Sequence, residues 1–124
     1  MVAVIGATGP ICLARRTTRR AAVHRRARTS EVQGGAEKAA DSIRLFMVPG
    51  MAHCGGGDGT SVFDSLAVLE QWVEQKKTPA QILASHVTNG VADRTRPLCP
   101  YPTIAAYKGS GDTNDAANFT CAKP

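Results

Sequence analysis

The fold of this chain is decided by residues 44–57, which read RLFMVPGMAHCGGG. Residues 45–48 form a short apolar run that contains Phe and Val, and Pro49-Gly50 interrupts it, which is typical of a buried strand that ends abruptly. His53 then follows the carboxyl end of this strand, where open α/β sheets place their functional side chains. The glycines at 55–57 leave space beside the imidazole. The stretch therefore predicts an α/β fold with His53 at the working edge of the sheet.

Five segments of the chain resemble the tannase and feruloyl esterase family of α/β-hydrolases. They read PGMAHCGGG at 49–57, WVE at 72–74, RTRPLCPYP at 94–102, YKGSGD at 107–112 and NFTC at 118–121. They follow the order of the family within residues 41–124, about the last two-thirds of the chain. The resemblance implies a carboxylic ester hydrolase for esters of hydroxylated aromatic acids, with a Ser-His-Asp triad in which the histidine comes last.

The resemblance also implies roles for single residues and for partners. His53 would be the general base of a serine esterase. Cys54 matches a family cysteine that is bonded to a cysteine beside the nucleophilic serine, and we expect it to be unpaired here because that serine is missing. The parent family implies a small aromatic ester as substrate and a secreted or periplasmic location. We expect no cofactor and no metal site, since the family's calcium site lies in a lid domain that this chain lacks.

Two other interpretations of His53 stand beside this one. A zinc site shared with Cys54 fails on spacing, because adjacent residues rarely bind one ion and no second ligand pair exists. A histidine without a role, on an ordinary loop, explains none of the downstream segments. By descent, the resemblance favours a histidine that serves as the general base. For the activity of this chain alone, we favour a histidine without a catalytic role.

Most of the catalytic apparatus is missing from the 124 residues. A complete α/β-hydrolase needs roughly twice that length or more. None of the six serines lies in a G-x-S-x-G elbow, and only Glu31, Glu37 and Asp41 are carboxylates that precede His53. We expect the C-terminal portion of a hydrolase (a late core strand, the histidine loop, the last helix and a disulfide-closed tail), truncated and inactive. A non-catalytic fragment or a basic-armed binding protein is the alternative.

The cysteines predict one disulfide. Cys99 and Cys121 enclose a polar, turn-rich segment, which suits a disulfide loop in an extracytoplasmic protein. No two of the four cysteines have the C-x-x-C interval of a zinc site. Cys12 lies in the first third of the chain and is a poor partner for Cys54.

Residues 1–40 differ from the rest in charge and composition. They hold eight basic and two acidic residues, whereas residues 41–124 hold seven and eight. The segment has few large apolar side chains, so we expect it to be disordered, or helical only on a partner. A basic arm for nucleic acid is a further interpretation, but no aromatic side chain is interleaved for stacking, and we do not expect nucleic acid as a partner. A wrong start or a shifted frame in a GC-rich gene would also give such a run, and we favour this origin.

Residues 58–77 predict a helix that is capped at Thr60 or Ser61, with an apolar stripe of Leu66, Leu69 and Val73 and with Phe63 and Trp72 beside it. Residues 82–87 predict a strand closed by an Asn89-Gly90 turn. Three prolines exclude long regular structure from residues 94–102, and residues 103–107 predict a last edge strand. His86 receives no role.

Two further expectations concern the surface. No apolar run is long enough to span a bilayer, and we find no convincing signal peptide, because the apolar residues precede the arginines. Residues 45–48 suit a strand that is covered on both faces, so missing neighbours would leave apolar edges. We therefore expect self-association through uncovered strand edges.

Overall fold

The computed structural model describes residues 2–5, 34–35, 44–52 and 55–124, and residues 2–5 by their backbone alone. One helix and six strands, named here in chain order, form its regular part. They are β1 (Val2–Ile5), β2 (Arg44–Met47), α1 (Ser65–Gln75), β3 (Ile82–Thr88), β4 (Val91–Leu98), β5 (Ile104–Tyr107) and β6 (Phe119–Ala122), with a 3₁₀ turn at Ala116–Asn118 before β6. The described strands form three pairs: parallel β1–β2, antiparallel β3–β4 and antiparallel β5–β6.

Strand β2 is the buried strand that the sequence predicted. Leu45 and Phe46 are adjacent, so their side chains point to opposite faces, and both are almost fully buried, at 2% and 0% exposure. The strand is therefore covered on both faces. Its core partners are Val48, Ile82, Ala84 and Leu98, with Met51, Phe63 and Val68 packed against them.

Strand β1 pairs with β2 in parallel, Val2 opposite Arg44 and Ile5 opposite Met47. The expectation of disorder across residues 1–40 is therefore wrong for these four residues. Their sequence, VAVI, is apolar, and three of its four residues are β-branched, which suits a strand. The arginine-rich remainder, including Cys12, lies outside the described residues apart from a turn at 34–35.

The helix is shorter than predicted and presents a different face. It begins after Asp64, whose carboxylate accepts a hydrogen bond from the Ala67 N–H at 2.9 Å, so the predicted cap at Thr60 or Ser61 is wrong. Trp72 is buried and Val68 packs on the core, whereas two members of the predicted stripe, Leu66 and Val73, are exposed. Leu66 is 63% exposed and Val73 65%. The indole ring buries more apolar surface than a Leu or Val side chain. The helix α1 is therefore rotated about its axis so that Val68 and Trp72 face the core.

The β3–β4 hairpin confirms the predicted turn. Asn89 and Gly90 have φ values of 52° and 81°, the left-handed conformation at both central positions of a type I′ turn. Strand β4 continues through Pro97, so the predicted irregularity at 94–102 is wrong for its first half. Both strands of a two-stranded ladder are edge strands, where proline is tolerated because its nitrogen can face outward.

The C-terminal part is closed by the predicted disulfide. Cys99 and Cys121 are bonded, with their Cα atoms 5.5 Å apart. Cys121 lies on β6, a strand that the sequence analysis missed, and β6 pairs with β5, which is therefore not the last strand. The Asn118 side-chain amide donates to the Asp112 carbonyl at 2.9 Å, which ties the end of the loop between β5 and β6 to its middle. In the described part of the chain, no helix is long and apolar enough to cross a bilayer.

Candidate active-site loop

The segment of residues 49–59, which follows β2 and carries His53, is called the histidine loop. It leaves the carboxyl end of β2 through Val48, which is buried in the core. His53 and Cys54 themselves lie outside the described residues. The roles of His53 as general base and of Cys54 as an unpaired cysteine thus stay predictions, and the structure describes the frame on either side of them.

Backbone hydrogen bonds close the frame twice. The Gly59 N–H donates to the Gly50 carbonyl at 3.0 Å, which ties the incoming arm to the outgoing arm. The Ala52 N–H donates to the Gly56 carbonyl, also at 3.0 Å, across the three residues between them. The histidine therefore belongs to a short segment whose two ends are bonded to each other.

The glycines of the loop allow these arms to touch. A Cβ atom added at Gly59 would collide with the Pro49 carbonyl oxygen, and one at Gly57 with the Gly50 carbonyl oxygen. Gly57 also has a φ of 85°, which L-residues rarely adopt. The sequence analysis assigned the glycines at 55–57 to open space beside the imidazole. The structure gives Gly57 a different use, since it permits contact between two backbone segments.

The outgoing arm is attached to the β3–β4 hairpin. The Arg94 guanidinium donates through Nη2 to the Asp58 carbonyl oxygen. Farther along, Val62 and Ser85 form a two-bond bridge, with N–O distances of 3.0 and 2.8 Å. Thr60, between these attachments, is 4% exposed. The histidine loop is thus held by its own arms and by the hairpin.

A cavity of about 360 Å³ lies between the histidine loop and strands β4 and β5. Its lining includes the ends of the loop, the side chains of two arginines and the disulfide region, namely Pro49, Gly59, Arg94, Arg96, Leu98 and Cys99. Burial, and then the positive charge of Arg94, lower the pKa of Arg96. Arg96 lies 4.1 Å above the Phe119 ring, a cation–π contact that helps to hold this partly buried charge.

A second polar cluster lies on the hairpin. His86 Nδ1 is 2.6 Å from Asp93 Oδ1, and the Thr88 hydroxyl donates to Asp93 Oδ2 at 2.7 Å. The hydrogen bonds from Thr88 and then from His86 lower the pKa of Asp93. The sequence analysis gave His86 no role. Its pairing with Asp93 follows from the Asn89-Gly90 turn, which brings residues on either side of it together. Within the described residues, no group of three His, Cys, Asp or Glu side chains is arranged to hold a metal ion.

The family model for tannase and feruloyl esterase matches residues 20–122. The chain belongs to this family. The match includes all of the described frame around His53, and it begins inside the arginine-rich segment rather than at residue 41. The division into residues 1–40 and 41–124 therefore remains a prediction.

Similar proteins of the family are esterases. The chain is 61% identical over 89 residues to mono(2-hydroxyethyl) terephthalate hydrolase of Piscinibacter sakaiensis, covering 69% of this chain and 15% of that protein. It is 42% identical over 94 residues to a probable feruloyl esterase of Arthroderma benhamiae, covering 73% and 17%. The solved structure of an esterase from Aspergillus oryzae matches 98% of this chain and 27% of its own, with a TM-score of 0.78 and 27% identity.

These matches establish the fold as a sheet-rich part of the tannase-type esterase domain. The chain spans between about a seventh and a quarter of the proteins just named, by the shares of 15%, 17% and 27%.

Proposed function

We propose that this chain is the C-terminal portion of a serine carboxylic ester hydrolase, and that it supplies the general base His53. The observation that carries the proposal is the double closure of the histidine loop at the carboxyl end of β2, in a chain that belongs to the tannase and feruloyl esterase family. A general base must be held within hydrogen-bond reach of the hydroxyl that it deprotonates. A loop closed by Gly59–Gly50 and Ala52–Gly56 bonds suits this requirement.

In this proposal, the mechanism divides between this chain and other sequence. His53 takes the proton of a serine and returns it to the leaving alcohol, while a carboxylate fixes the imidazole tautomer. The serine in its G-x-S-x-G elbow, the carboxylate and the oxyanion donors come from outside these 124 residues. By itself the chain is inactive, because it cannot form an acyl-enzyme without a positioned nucleophile.

The substrates in this proposal are small esters of aromatic acids. The support comes from two relatives, a mono(2-hydroxyethyl) terephthalate hydrolase and a probable feruloyl esterase. An extracytoplasmic location is supported by the Cys99–Cys121 disulfide, since such bonds persist in oxidising compartments.

Self-association is part of the same proposal. Several large apolar side chains of the described region are strongly exposed, including Val62, Leu66, Val73 and Leu83. In a whole esterase, the rest of the domain would cover these side chains and the free edges of the strands. Alone, the chain should associate through the uncovered strand edges, with the exposed apolar side chains adding to the contact.

The test is a turnover assay on the purified chain with methyl ferulate, methyl gallate and nitrophenyl acetate, beside His53→Ala. We expect no turnover above the buffer rate from either protein. Turnover that disappears only in the alanine variant would show that the chain completes its own site. Reading the upstream DNA in all frames supplies the second observation, because the proposal requires a G-x-S-x-G elbow there.

A further inference from the structure

We propose that Arg94 is a positioning residue, which fixes the outgoing arm of the histidine loop on the β3–β4 hairpin. This inference rests on the function proposed for His53, since it concerns the frame that would hold the base. In this proposal Arg94 does not act on the substrate directly. It acts through the backbone of residues 55–59, which follow His53 in the sequence.

The contact is made where the two arms of the loop meet. Arg94 Nη2 donates to the carbonyl oxygen of Asp58. The next residue, Gly59, donates its N–H to Gly50. A charged donor makes a stronger hydrogen bond than a neutral one. The guanidinium therefore strengthens the frame beside the bond that closes it.

A bulge in the hairpin sets the direction of Arg94. His86 pairs with Arg94 and Val87 pairs with Ala92, so Asp93 is an extra residue in β4. Bulges change the direction of the neighbouring side chains. The Asp93 carboxylate is held by His86 and Thr88, which fixes the bulge directly before Arg94. The polar cluster on the hairpin thus has a use, because it supports the backbone from which Arg94 reaches the loop.

Arg96 provides a matched comparison on the same strand. It lines the same cavity and carries the same charge. Its Nη1 donates to the Thr95 carbonyl at 2.7 Å, and its guanidinium stacks on Phe119. Among the described residues of the loop, none receives a hydrogen bond from Arg96. Removing Arg96 therefore removes an equal charge and leaves the attachment of the loop intact.

The experiment is residue-resolved amide hydrogen exchange on the full chain, comparing wild type, Arg94→Met, Arg94→Lys and Arg96→Met. The reporters are the amides of Gly59 and Ala52, with Thr95 as the reference, because its N–H donates to Asn114 outside the loop. In Arg94→Met we expect roughly tenfold faster exchange at Gly59 and Ala52, and an unchanged rate at Thr95. Lysine keeps one charged donor and should restore part of the protection, whereas Arg96→Met should leave Gly59 as in wild type.

Unchanged protection of Gly59 in Arg94→Met would overturn the proposal, as would an equal loss of protection in Arg96→Met. If Arg94→Met does not fold, Arg94→Gln is measured in the same way, and failure of both to fold would contradict the local role. The exchange rates do not depend on ester turnover. The second comparison uses a complete esterase, made by joining this chain to a serine-bearing upstream part. If the histidine loop exchanges faster in Arg94→Met as expected, but turnover by the complete esterase does not depend on His53, the role of Arg94 is retained and the proposed function is refuted.

Discussion

Two regions of the molecule, the histidine loop and residues 82–122, are held in place by different kinds of contact. The histidine loop is held mainly by close backbone contact, which glycine alone permits at Gly57, together with one side-chain attachment from Arg94. Residues 82–122 are held by side chains: a disulfide, the Arg96–Phe119 stack and the His86–Asp93–Thr88 cluster. The comparison shows that the loop has little tolerance for added atoms, whereas the hairpin region has several separable supports. Substitutions can therefore break the first at one position and the second only in steps.

The largest expected effect is the loss of the disulfide. Replacing both Cys99 and Cys121 by Ser should lower the free energy of unfolding by about 3 kcal/mol, because the unfolded chain regains the entropy of a loop closed over 22 residues. Urea unfolding measures the difference. An unchanged midpoint would show that the β5–β6 pairing alone holds the region, and the comparison with the histidine loop would lose its basis.

Gly57→Ala should follow, with a loss of about 2–3 kcal/mol from the left-handed φ and the collision with the Gly50 carbonyl. Gly56→Ala is the matched control. Gly56 also has a positive φ, 65°, but among the residues that the structure describes, nothing lies within 4 Å of an added Cβ there. It should cost only about 1 kcal/mol, for the backbone conformation alone. Equal losses in the two variants, measured by urea unfolding, would refute the claim that close contact holds the loop.

Sequence reasoning predicted the parts of the fold that depend on local chemistry. The apolar run before Pro49-Gly50 became β2, Asn89-Gly90 became a type I′ turn, and Cys99 found Cys121. It failed where distant packing decides. The face of α1 was set by the burial of Trp72, and the continuation of β4 through Pro97 by the two-stranded ladder. The Arg94–Asp58 contact joins residues 36 positions apart, and no local sequence pattern predicts it.

A smaller effect should come from the cap of α1. Asp64→Ala removes the acceptor for the Ala67 N–H and should cost about 1 kcal/mol. Ser61→Ala, at the cap position that the sequence suggested, should cost almost nothing. Thermal unfolding followed by circular dichroism separates the two variants. A larger loss in Ser61→Ala would show that the helix begins earlier than Ser65.

The smallest effect concerns acid stability. The pKa of Asp93 in the folded chain lies below its ordinary value of 3.8, so its ionised form stabilises the fold at higher pH. That contribution is present above about pH 4 and is lost as the pH falls through the lowered pKa. The stability difference between wild type and Asp93→Asn should thus be constant above that pH and shrink below it. Urea midpoints at several pH values measure this, and a difference that grows in acid would contradict the assigned direction.

The most direct test of the account compares two histidines in a complete esterase, made by joining this chain to the upstream serine-bearing sequence that the proposal requires. Turnover of methyl ferulate is measured for wild type, His53→Ala and His86→Ala. The account predicts that His53→Ala lowers kcat by about 10²-fold or more, the range typical of a lost general base. His86→Ala, which breaks only the hairpin cluster, should keep kcat within roughly tenfold of wild type. Normal turnover in His53→Ala would contradict the assignment of the base.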